Sequence, residues 1–227
     1  MFNKAAKGPK RKRGPVSRKK ELIKGLILVI VIAAALRILL VFPIKVNDEG
    51  MQGGLYSGDY LLCSSISYKM GAPKAGDLVT FEHPFRGGEI IARRIIATGG
   101  QTVEIVGKMV YVDGEPLAEY PSVIHDDYRI LPKDFSSRDY FAPRQVPAGH
   151  VFVMGDNRDR SEDSRDFGFI ENQKINGKGM FVYFSWAPDP NAPKMESPYI
   201  IPAIQIVFYN LFHFPSRVRW GRFLASS

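Results

Sequence analysis

Between Gly25 and Phe42 the chain reads GLILVIVIAAALRILLVF, with Arg37 its only charge. At about 1.5 Å per helical residue this run nearly matches a bilayer core of about 30 Å, so it constrains whatever lies on either side. A membrane-crossing helix over residues 25–44 is expected, with Arg37 near enough to the far end to snorkel toward headgroups beside Lys45. A cleaved signal peptide has a shorter apolar core, of about 7–15 residues, and a small-x-small site directly after it, neither of which fits here. The formal charge of +8 divides sharply around the run. Residues 1–24 hold ten Lys/Arg against one Glu, whereas the remainder holds 21 Lys/Arg against 22 Asp/Glu. A dense basic tail beside an apolar span sets membrane orientation, and that use is preferred here to nucleic-acid binding. The expected topology is a cytoplasmic tail over 1–24, a single-pass anchor over 25–44 and a body, 45–227, outside the cytoplasm.

The body is nearly neutral and reads as strands. Short runs rich in Val, Ile, Phe and Tyr are broken by Gly and Pro: GDYLLCSSISY, GDLVTFEHP, EIIARRIIAT, TVEIVGKMVYVDGEPL, GHVFVMGDN and GMFVYFSW. VYVDGEPL carries the Asp-Gly pair of a tight hairpin. No long amphipathic helix is expected after residue 45, so the body reads as mainly β, a barrel or packed sheets. Residues 119–147 lack a regular period and read as an irregular excursion. Residues 199–214 are apolar but interrupted by Pro202, Gln205, Asn210 and His213, which suits an interfacial or buried segment rather than a second span. The closing SRVRWGRF is basic and aromatic, fit to lie on anionic lipid or to dock Trp220 on the body. The single cysteine, Cys63, excludes an intrachain disulfide framework and reads as a small buried hydrophobe.

Two segments carry the chemistry. VFVMGDNRDRSEDSRDFGFI, residues 151–170, begins as a strand and breaks at Gly155 into a run of Asp, Asn, Arg and Ser. These side chains satisfy turn backbone and can form forked Arg–carboxylate pairs. The interleaved arginines oppose a calcium-type site, and no metal or other cofactor is expected. The other segment, VNDEGMQGGLYSGDYLL at residues 46–62, follows the apolar run with three acids and four glycines.

The pattern G-D-N-R-D-x-S-x-D-S-R with an aromatic-Gly-aromatic exit resembles the last box of bacterial type I signal peptidases. These are membrane-anchored serine proteases that remove leader peptides from exported proteins. The resemblance extends to the basic tail and single anchor, to SGDYLL, GDLVTF, RRIIATGGQTVEI and VYVDGEPL, and to the ending RVRWGRF. It implies a signal-peptidase-like β-barrel or sheet module on the outer face of the cytoplasmic membrane, with an extended peptide lying along a strand edge. It also implies a Ser nucleophile in a stretch resembling S-G-S-M-x-P-T-L and a Lys general base in a strand resembling I-K-R-V-V-G.

Counting back from Gly58-Asp59 places Gly50 on the nucleophile and Asp48 on the residue whose hydroxyl would help bind the oxyanion. Met51 and Leu55 match the box and are candidate peptide contacts. The strand match places Arg93 on the base, followed by Arg94. Glycine has no atom that attacks a carbonyl, and arginine, with a pKa above about 12, stays protonated. Asp48, Glu49 and Arg93 are expected to form a salt-bridge cluster in place of the dyad. Asp156, Asn157, Arg158, Ser161, Asp163 and Arg165 keep the family box as a scaffold. The reading is a non-catalytic homologue that binds leader peptides or an active paralogue. Its alternatives are an active signal peptidase using other residues, and a structural envelope protein.

Overall fold

The computed structural model describes residues 18–194 and 200–225. The basic tail up to residue 17, the Arg37 side chain and Tyr199 lie outside the described residues. The chain divides into an N-terminal unit, Met1–Leu39, and a body, Leu40–Ser227.

Helix α1, Arg18–Leu40, occupies the N-terminal unit, and its side chains from Lys20 to Ile32 are exposed. The helix ends at Leu40 rather than near residue 44, because Val41–Lys45 forms strand β1. Pro43 has no N–H to continue a helix, and the strand it joins is a sheet edge, where that missing donor is tolerated. Among the described residues no helix is long and apolar enough to cross a membrane.

The body continues with β2 (Asp59–Ser64), helix α2 (Ser67–Met70), β3 (Leu78–Glu82), β4 (Ile90–Thr98), β5 (Thr102–Val106) and β6 (Met109–Val112). Then come β7 (Glu115–Pro116), β8 (Tyr140–Gln145), β9 (His150–Met154), helix α3 (Ser164–Phe167), β10 (Ile170–Glu171), β11 (Ile175–Ser185) and helix α4 (Ile200–Arg217). The fold of the body is mainly β, as the sequence predicts. One antiparallel sheet runs β1-β2-β11-β3-β4-β9-β10, and a second runs β7-β6-β5-β8. Register shifts in β11, between Ile175 and Gly177, Gly179 and Phe181, and Val182 and Phe184, and another in β4 are bulges of the kind that curl a sheet. The Asp-Gly hairpin forms between β6 and β7, with φ of 53° at Asp113 and 84° at Gly114, the left-handed pair a type I′ turn requires.

Two expectations are corrected. The irregular excursion stops before residue 140, since Tyr140–Gln145 pairs with β5 as β8. The apolar segment near the C-terminus, expected to be interfacial or buried in a body without a long amphipathic helix, is an 18-residue amphipathic helix, α4, and its largely exposed side chains remove the buried alternative. Its four polar or Pro interruptions do not break the helix, because three are polar side chains compatible with helical backbone and Pro202 falls in the first turn, where its missing N–H costs nothing.

Three apolar clusters fill the body. The one nearest the glycine-rich loop packs Ile44 and Val46 with Leu61, Cys63, Leu78 and Val182. Burial pushes the Cys63 thiol up to about 12, although a hydrogen bond with Thr80 opposes this, in keeping with an inert core residue.

Candidate functional site

The site is built from three segments that meet at backbone distance. The first is the loop between β1 and β2. Its backbone turns back on itself, with Gln52 N–H donating to Glu49 and Leu55 N–H to Met51. The loop needs glycine where other backbone crowds it. Gly53 and Gly58 have φ of 106° and 90°, and a Cβ on them would lie 2.1 Å from the Ser122 carbonyl oxygen and 2.0 Å from that of Trp186. Met51 and Leu55 project into the core and are fully buried. They are core residues with no surface to offer a peptide, a correction to their expected role, and each contributes about 1.5–3 kcal/mol by burial.

The second segment is β4. Successive residues on a strand face opposite sides, so Arg93 and Arg94 serve different neighbours. Arg93, 1% exposed, reaches the loop. Its Nη2 lies 2.7 Å from Asp48 Oδ2, its Nη1 donates to the Ala92 carbonyl at 2.6 Å, and its Nε donates to the Glu162 carbonyl at 3.0 Å. Arg94 makes a forked pair with Asp156 at 2.8 and 2.7 Å, supported by Ser122 Oγ donating to the same carboxylate at 2.7 Å.

The third segment is the turn after β9. Gly155 passes so close to the loop that a Cβ on it would lie 2.2 Å from the Gly50 carbonyl oxygen and 2.2 Å from Ser161 Oγ. Asn157 N–H donates to that same Gly50 oxygen at 3.0 Å. Asp163 caps α3, exchanging hydrogen bonds with Asp166, accepts the Gly155 N–H and forms a forked pair with Arg165 at 2.8 Å in both arms. Burial alone would raise the Asp163 carboxyl. The Arg165 charge and its hydrogen bonds outweigh that, with the Gly155 N–H and Arg93 assisting, and the carboxyl titrates below its ordinary range. Arg158 is also buried, which pulls its pKa down, and its Nε donates to the Gly155 carbonyl.

Gly50, Arg93, Asp48 and Ser161 therefore lie together. A Cβ on Gly50 would lie 2.8 Å from Arg93 Nη2, 2.9 Å from its Cζ and 2.9 Å from Asp48 Oδ2. The Asp48–Arg93 ion pair occupies the space a side chain at position 50 would need. The expected three-residue salt-bridge cluster forms only in part: Glu49 pairs instead with Arg160 at 3.0 Å. Ser161 Oγ is buried without a hydrogen-bond partner among the described residues. Ser57, the nearest serine along the chain after the loop turn, donates to the Asn47 carbonyl at 3.4 Å. Among the described residues the lysine amines with hydrogen-bond partners hold carboxylates or carbonyls, Lys108 on Asp159 and Lys178 on Asp77, and none holds a serine hydroxyl.

A family model described as signal peptidase, peptidase S26, matches residues 19–186. This chain belongs to the type I signal peptidase family. It is 35% identical over 172 residues to the probable signal peptidase I-1 of Synechocystis, a match covering 73% of this chain and 82% of the relative. Signal peptidase I of Pseudomonas aeruginosa is 30% identical over 209 residues, covering 74% and 73% of the two chains. That of Aquifex aeolicus is 26% identical over 254 residues, covering 88% and 97%. A crystal structure of a signal peptidase I from Enterococcus faecalis aligns with a TM-score of 0.37 and 32% identity, over 48% of this chain and 97% of that one.

Two features of this signal peptidase homologue were not legible as site elements in the sequence. The excursion is a strap across the last box: Ile124 N–H donates to the Asp156 carbonyl, Arg158 N–H to the Ile124 carbonyl, and Asn157 Nδ2 to Asp126. The C-terminal arginines hold the glycine-rich loop. Arg222 donates to the Gly54 carbonyl at 2.7 Å and to the buried Asp59 at 2.6 Å, while Arg219 donates to the Ser57 carbonyl at 3.0 Å. The signal available was charge complementarity between a basic C-terminus and Asp59 in a Gly-Asp step, with nothing local to connect them.

Proposed function

We propose that this chain is a membrane-anchored signal peptidase homologue that holds a leader peptide, or an active paralogue, without cutting the peptide. The observation that carries the reading is the Asp48–Arg93 pair, 2.7 Å apart and occupying the side-chain space of Gly50, at positions that match the family's nucleophile and base. A buried arginine with three partners is a permanent cation and takes no proton from an attacking group. Removing a serine nucleophile from a protease of another fold costs about 10⁶ in turnover, which sets the scale of the loss. The Asp48 carboxylate would also oppose a developing oxyanion. Binding by strand addition uses main-chain hydrogen bonds and asks for no nucleophile.

Helix α1 supplies the anchor in this reading. Its exposed side chains include Leu26, Ile27, Leu28, Val29 and Ile30, a sheath suited to lipid. The basic N-terminus stays in the cytoplasm and the body lies on the outer face of the cytoplasmic membrane. The test uses the purified full chain in detergent with a fluorescent leader peptide. Saturable binding with no cleaved product on chromatography is expected. Turnover that disappears in one Ser→Ala variant would overturn the reading.

A further inference from the structure

Helix α4 faces the wrong way for a helix in water. Ile204, Val207, Phe208, Leu211 and Phe212 follow the i, i+3, i+4, i+7, i+8 spacing of a single apolar stripe. In a soluble helix that stripe would be the buried one. Here it is the exposed one, reaching 66% at Leu211 and 77% at Phe212. The half-buried side that meets the body carries Tyr209, Asn210 and Arg217 instead, while Gln205 and His213 stay exposed: Tyr209 OH donates to Asp189 at 2.6 Å, and Arg217 donates to Asn210 and to the Ala187 carbonyl and lies over the Trp186 ring.

The exposed stripe continues past the helix. Trp220 stacks on Phe223 with centroids 5.9 Å apart and meets Phe214 edge-on, and Trp220, Phe223 and Leu224 are all exposed. Residues 199–227 contain Arg217, Arg219 and Arg222 and no Asp or Glu. Among the described residues the carboxylates that meet this segment are Asp59, held by Arg222 and Arg219, and Asp189, against three arginines.

We propose that α4 and the turn after it seat the body on the surface of an anionic lipid bilayer. An apolar stripe with aromatics at one end suits the boundary between acyl chains and headgroups, and surplus arginine suits phosphate-bearing headgroups. A second copy is the poorer occupant. A two-fold contact would set this segment against itself, placing like charges together with no acid in residues 199–227 to receive them. The inference stands whether the bound peptide is held or cut.

The test uses the full chain inserted in vesicles of phosphatidylcholine and phosphatidylglycerol. A nitroxide is attached to F212C, to F135C on the strap, or to V29C in α1, all at exposed positions; buried Cys63 stays unlabelled. The ratio of oxygen to nickel-chelate collisions is expected to be several-fold higher at 212 than at 135, and to fall when phosphatidylglycerol is replaced by phosphatidylcholine. A label at 212 as wet as that at 135, with 29 buried in lipid, overturns the seating while leaving the anchor intact. Wet labels at both 212 and 29 overturn both. Spin–spin broadening at 212 that disappears on dilution with unlabelled chain assigns the stripe to a second copy, and equal protection in neutral vesicles contradicts the role given to charge.

Discussion

At the scale of single residues, the site turns on one volume shared by two side chains. Position 50 carries no side chain, and the Arg93 guanidinium with its Asp48 partner occupies the space. Gly50→Ser should therefore destabilise the protein by about 1–3 kcal/mol, the cost of overpacking a filled site. Arg93→Lys should also destabilise it, since a lysine gives up the hydrogen bonds to Glu162 and Ala92. Because both changes act on the same volume, the double variant should lose less than the sum of the two. Urea unfolding of all four proteins checks this, and strictly additive losses would mean that the two residues do not compete for space. The choice of Gly50, Asp48 and Arg93 came from the resemblance to the family's motifs. The burial of Met51 and Leu55 was not legible, because a loop of polar and glycine residues gives no period from which to read which apolar members turn inward.

At the scale of elements, the last box is an electrostatic joint. Asp163 ties the end of β9 to the start of α3 through Gly155, Arg165 and Asp166. Its carboxyl is depressed from the ordinary value of 3.8, so its contribution is present above that value and is lost as pH falls through and below it. Asp163→Asn leaves Arg165 buried without its counter-charge and should cost about 3–5 kcal/mol at pH 7. Its stability should then fall less steeply than the parent's between pH 4 and pH 3, as read from urea midpoints. Parallel curves would contradict the assignment. The strands β2, β3, β4, β5, β6, β9 and β11 follow the expected apolar runs. β8 was hidden because Tyr140–Gln145 carries Pro143 and a charge and is an edge strand whose last four residues are exposed, so it shows no apolar alternation. The stripe of α4 was hidden for a different reason: its polar side chains read as interruptions of an interfacial or buried segment, whereas Asn210 and Tyr209 lie on the side that meets the body and Gln205 and His213 stay exposed.

At the scale of the whole molecule, the chain belongs to the signal peptidase family, and in the proposed reading the positions aligned with its catalytic pair hold Gly50 and Arg93. The scaffold contacts explain how the fold can stand without that pair. Gly155 against Gly50, Arg94 against Asp156, and the C-terminal arginines against Asp59 fix the loop and the box without using a nucleophile or a base. The family was legible from the box, and the apolar run was legible as a helix. The strap and the C-terminal clamp depend on contacts between residues 34 and 168 positions apart, which no local pattern encodes. The most direct measurement is the intact mass of the full chain after incubation with an electrophilic leader-peptide ester that acylates serine nucleophiles. The protein should remain unmodified, and a stoichiometric acyl adduct mapped to a serine would contradict the account.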